Sequence, residues 1–142
     1  MPTWDTLTWN RFVELEQDDD RIPEKPGTYA VRCAPSGEPR MVNRAFGTDK
    51  SGILCFGRTT EQDLRRRVGM FLRASQGKKV AHVEGKRYRQ LGYLEHGFRW
   101  EDLEVAWKAC SDPKEAKDQE LSWFEEYSGI FGELPPLNRK CG

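Results

Sequence analysis

The sequence predicts a small α/β fold of the α+β type, a sheet covered by helices, and two observations carry that expectation. Three stretches, TYAVRC at 28–33, ILCF at 53–56 and LEVAWKA at 103–109, are rich in β-branched and aromatic residues and lie between turn signals. Other segments place apolar residues at helical spacing: Leu64, Val68, Phe71 and Leu72 fall at i, i+4, i+7 and i+8. A chain of 142 residues suits one domain, with residues 1–26 a helix and turn packed on it and residues 27–142 the domain proper.

Each element follows in order. Residues 8–17 bring Trp9, Phe12, Val13 and Leu15 near one stripe, with Thr8 as N-cap, and predict a helix. Asp18, Asp19 and Asp20 read as its solvated exit, because Asp is a poor helix former. Pro23 and Pro26 turn the chain, and Gly27 opens the first strand. Residues 34–50 carry Pro35, Gly37, Pro39 and Gly47 and read as a long connection with an extended piece at 40–43. The strand at 53–56 pairs antiparallel with the first. Thr59 or Thr60 caps a helix over 61–74, and 86–94 is a second, shorter helix. After the third strand, Asp112 and Pro113 start a helix that runs to about residue 130 and stops near Gly129 or Gly132. Residues 134–142, LPPLNRKCG, form an extended tail.

Composition narrows the function classes. The 23 basic and 23 acidic residues balance, but residues 58–99 carry a net +7, so the basic middle favours a polyanionic partner. No apolar run approaches the roughly 18 residues of a membrane span, and the N-terminus lacks an apolar leader, so the expectation is a cytoplasmic protein without membrane contact. Cys33, Cys55, Cys110 and Cys141 are scattered without zinc spacing and read as reduced thiols, some of them core.

The motifs sharpen this. GTY at 27–29, CFG at 55–57, LRRRV at 64–68, ELSWFEEY at 120–127 and LPPLN at 134–138 stand in one order along the chain. In that order they resemble the motifs of the GIY-YIG nuclease superfamily. The resemblance implies a central three-stranded antiparallel sheet flanked by helices, and a metal-dependent endonuclease that hydrolyses phosphodiester bonds in DNA with one divalent ion, Mg²⁺ or Mn²⁺. It implies that Tyr29 orients or deprotonates the attacking water, that Arg67 holds the scissile phosphate, that Glu120 ligates the metal, and that Asn138 fixes the geometry. Glu126 is the alternative metal ligand and Glu125 a weaker one.

These residue types suit the chemistry. Arg presents a planar fork that matches phosphate oxygens. A hard divalent ion takes oxygen ligands, keeps several waters, and needs only one or two carboxylates. A Tyr base needs help, since its free pKa is about 10. The chain departs from the family pattern twice. Cys55 stands where the second tyrosine is usual, and it either fills core space or touches the nucleophilic water. Phe71 stands where relatives carry a polar ring, a role that His82 could take as a further catalytic residue. Arg58, Arg65, Arg66, Lys78, Lys79, Lys86 and Arg87 are the expected phosphate track, which Arg89 extends. So short a chain leaves targeting to a homodimer or to a partner protein. The competing expectation is a catalytically weak or inert nucleic-acid-binding module on the same fold.

Overall fold

The structure, a computed structural model, describes residues 1–93 and 96–139. The β-rich stretches become β2 (Gly27–Cys33), β5 (Ile53–Arg58) and β6 (Leu103–Ala109), and a short β1 (Asn10–Arg11) joins them. They form one antiparallel sheet in the order β1-β6-β2-β5. β2 lies at its centre, with Tyr29 opposite Gly57 on β5 and Trp107 on β6. Both neighbours and both faces of β2 are covered, which explains its near-continuous burial.

The expected three-stranded sheet therefore has a fourth strand, and the expected helix at 8–17 is the reason. Asn10 and Arg11 pair with Val105 and Glu104 at the sheet edge, and a 3-10 turn over Phe12–Glu14 follows. Phe12 and Leu15, three apart, are buried by that turn, while Val13 is exposed. The triple aspartate divides as well. Asp18 and Asp20 are exposed, but Asp19 is buried, ion-paired with Arg21 and accepting the Glu16 and Arg21 amides. Those bonds, the Arg21 guanidinium foremost, hold its carboxyl well below the usual carboxylate range.

The long connection holds a hairpin, β3 (Val42–Arg44) with β4 (Gly47–Asp49). The first long helix, α1 (Leu64–Ser75), is capped by Asp63, whose side chain accepts the Arg66 amide. Thr59, one of the two expected caps, is used earlier: its hydroxyl accepts the Gly27 amide where β2 begins. The second helix, α2 (Val83–Gln90), starts sooner than expected because His82 caps it. The expected end of that helix at residue 94 lies outside the described residues, as does Cys141. The last helix, α3 (Pro113–Phe131), has Asp112 as cap, Pro113 at its first position, and Gly132 at φ 78° closing it in the left-handed region.

The sheet divides two cores. On one face Tyr29, Val31, Cys33 and Cys55 pack with Leu64, Val68 and Phe71 of α1 and Tyr88 of α2. On the other, Ala30, Ile53 and Phe56 pack with Trp123, Phe124 and Tyr127 of α3 and with Trp4. Cys33, Cys55 and Cys110 are free and buried. No helix among the described residues is long and apolar enough to cross a membrane.

Candidate active site cleft

β5 is an edge strand, and its outer edge is closed by the tail rather than by another strand. The Leu137 amide donates to the Leu54 carbonyl at 2.9 Å. Asn138 then serves both backbone groups of Phe56: its Oδ1 accepts the amide and its Nδ2 donates to the carbonyl, each at 3.0 Å. A side-chain amide thus imitates one residue of a paired strand, leaving no open edge there.

A cleft of about 300 Å³ opens beside this junction, between α1 and α2 on one side and α3 and the tail on the other. Arg58, Arg67, Arg87 and Arg139 line it with Glu84 and Glu120. Four guanidinium groups against two carboxylates leave the cleft positive, in a chain whose formal charge is zero. Arg58 at the end of β5 gives its Nε to Glu120 Oε1 at 3.0 Å. Arg67 reaches the Ala81 carbonyl through a long contact of 3.4 Å and joins no ion pair among the described residues. Arg87 donates to the Leu137 carbonyl and so ties α2 to the tail.

Burial sets the protonation of both acids. It lifts the Glu120 carboxyl to about 7, outweighing the Arg58 guanidinium that pulls the other way. Glu84 is raised too, by burial first, with Arg67 and Arg87 opposing. Glu84 was not foreseen. Its signal in the sequence was its sign, since it is one of four acids in the basic stretch 58–99.

Tyr29 is fully buried and does not line the cleft. Its hydroxyl meets His82 Nε2 at 2.7 Å. His82 Nδ1 accepts the Gly85 amide at 3.1 Å, which assigns the ring proton to Nε2 and makes His82 the donor to Tyr29. The phenol's own proton is then free to point elsewhere. Burial raises the Tyr29 pKa well above the ordinary value and lowers His82 to about 3, so both are neutral at pH 7. Phe71 packs edge-on against His82, with ring centres 5.0 Å apart. His82 thus occupies the space one turn beyond Arg67. Gly57 is required here: a Cβ at that position would run into the Tyr29 ring.

The remaining expected residues separate. Cys55 is fully buried in the α1-side core, and burial pushes its thiol pKa well up, so it is a neutral space-filling group. Arg65 turns away from the cleft to pair with Glu24 and donate to the Ile22 carbonyl. Arg66 is exposed on another face of α1, beside Arg73. Lys78, Lys79 and Lys86 line a separate groove. Glu126 takes the Thr3 amide and hydroxyl on both carboxylate oxygens, and Glu125 is exposed outside the cleft lining.

The donor set bears on a metal. The described residues hold no cluster of three or more His, Cys, Asp or Glu side chains that would cage a soft or high-coordination ion. Two carboxylates in one cleft, both destabilised as anions, fit a hard divalent cation that keeps several waters. Arg58 engages Oε1 of Glu120. Comparison of the chain with protein-family models, characterised proteins and solved structures returned no match.

Proposed function

We propose that the protein is a metal-dependent endonuclease of the GIY-YIG type that hydrolyses phosphodiester bonds in DNA. One observation carries this reading: Arg67 of α1, Glu120 of α3 and the Asn138 junction, far apart in sequence, share one positive cleft. Arg67 joins no ion pair among the described residues and offers its fork to the phosphate oxygens, where charge grows during attack. Glu120 and Glu84 are the residues that would hold Mg²⁺ or Mn²⁺, which would supply Lewis-acid stabilisation of the leaving oxygen. Tyr29, kept neutral by burial and held by His82, is given the role of orienting the attacking water rather than deprotonating it, a role that requires its hydroxyl to be uncovered to the cleft. Asn138 holds the tail, and with it the cleft wall, against β5.

A second reading, a weakly active or inert nucleic-acid-binding module on the same fold, is favoured by the complete burial of Tyr29 and by Cys55 as mere packing. Incubation with supercoiled, linear and single-stranded DNA in Mg²⁺, Mn²⁺ or EDTA separates the two. Nicking should need the metal, and Arg67→Ala and Glu120→Ala should each slow it by about 100-fold or more. Nicking that survives in both variants would sink the assignment, and binding without cutting would establish the inert module.

A further inference from the structure

We infer that the substrate is duplex DNA and that α2 lies in its major groove, gripping a phosphate backbone on each flank. The inference rests on the nuclease reading only in taking the cleft as one phosphate site. At roughly 100° per residue, the α2 positions fall into three faces. Gly85 and Tyr88 are buried. Glu84 and Arg87 face the cleft. Lys86 and Arg89 face a second, open groove of about 620 Å³, which Lys78 and Lys79 complete.

That groove is built only for anions. No Asp or Glu lines it, and none of its four basic side chains joins an ion pair among the described residues. Arg21, Arg32, Arg44, Arg58, Arg65 and Arg99, by contrast, each hold a carboxylate. Arg89 donates to the Ser75 carbonyl at 3.3 Å, and Lys78, Lys79 and Lys86 are exposed beside it, so the groove carries four positive charges with no carboxylate in its lining.

The cleft and the groove therefore lie on opposite flanks of one helix. A helix with its side chains is about 10–12 Å across. The DNA major groove is about 12 Å wide and the minor groove about 6 Å, so only the major groove seats a helix between two backbones. The ridge between the flanks is formed by Val83, 64% exposed, and Gln90. An apolar methyl and an amide there suit a thymine methyl and an adenine edge.

Equilibrium binding in EDTA tests this with a short DNA duplex, its single strands, and an RNA duplex of the same sequence. The DNA duplex should bind at least about 10-fold tighter than either, because A-form RNA has a major groove that does not admit a helix. Lys79→Ala/Lys86→Ala should weaken duplex binding about 10-fold at low salt and lower the salt slope by about two, with single-strand affinity unmoved. Both lysines are exposed, and a thermal melt checks that the variant folds. Lys114→Ala on α3 serves as the charge control and should change neither affinity. Methyl green, a major-groove ligand, should displace the protein, and the minor-groove ligand distamycin should not. Equal weakening on duplex and single strand, competition by distamycin, or equal RNA binding would overturn the inference. No cutting occurs in EDTA, so these results stand apart from the nuclease reading, which fails separately if Mg²⁺ yields no cleavage.

Discussion

Glu120 titrates near neutrality, and its acidity is a balance of two opposed effects. Burial raises it and Arg58 lowers it, with burial ahead and a result of about 7. On the proposed nuclease reading, a carboxyl that must be ionised to receive a cation would set the acid limb of cleavage. We predict that single-turnover cleavage in Mg²⁺ climbs with pH through about 7. Arg58→Gln removes the lowering influence, so the limb should move to higher pH even though the rate also falls. A limb that stays in place would assign it to another group. His82 is not that group, because burial holds it at about 3, below the working range. Tyr29 is not either, since burial drives it the other way. The sequence could present Tyr29, His82 and Glu120 as candidates, but not their acidities. Those depend on how much protein covers each side chain, which residue type and spacing do not encode.

At the scale of elements, the tail is the least regular part of the fold and closes its most exposed edge. Asn138→Ala would leave the Phe56 amide and carbonyl in a partly buried place without partners. Loss of that pair should cost about 2 kcal/mol in urea denaturation, and cleavage should fall because the cleft wall is no longer pinned to β5. Stability unchanged by the substitution would mean that water replaces the amide at this edge. The segments that were readable in the sequence are those whose burial follows one period. Residues 103–109 form β6 with both expected ends, and Pro113 starts α3. Segments that bury few side chains were misread. Between Thr8 and Gln17 only Phe12 and Leu15 are buried, and a three-residue spacing is as easily met by a 3-10 turn as by a helix. The β3–β4 hairpin, VNR and GTD, is polar and glycine-containing, so its pairing carries no hydrophobic alternation to detect.

The whole molecule gathers its ionisable groups by strand order and helix packing, which brings Arg58, Arg67, Glu84 and Glu120 to one cleft from β5, α1, α2 and α3. The order of motifs made Arg67 and Glu120 legible as partners. The separation of Arg65 from Arg67 was legible only in part, because helix geometry forbids a shared target but does not say that Glu24 captures Arg65. The same burial leaves a mark on global stability. His82 titrates at about 3 in the folded protein against an ordinary 6.5, so between those values the unfolded chain binds more protons. Its contribution is complete above pH 6.5 and drains away as pH falls toward 3. Glu120 acts in the opposite sense: at about 7 against an ordinary 4.5, it favours the folded state at low pH and loses that contribution as pH rises through 7. Over the shared window, from 4.5 to 6.5, the two slopes offset each other. Acidification should therefore leave stability level across that window and cut it steeply below 4.5, where His82 acts without its counterweight and Asp19, held low by Arg21, begins to protonate. His82→Asn keeps an acceptor for the Gly85 amide and removes the imidazole. In urea titrations from pH 3 to 7 the variant should show a shallower fall below 4.5 and a downward slope with rising pH between 4.5 and 6.5, exposed because raised carboxyls such as Glu120 and Glu84 act there without the opposing imidazole. A variant whose pH profile runs parallel to that of the parent would show that the buried imidazole does not govern acid stability.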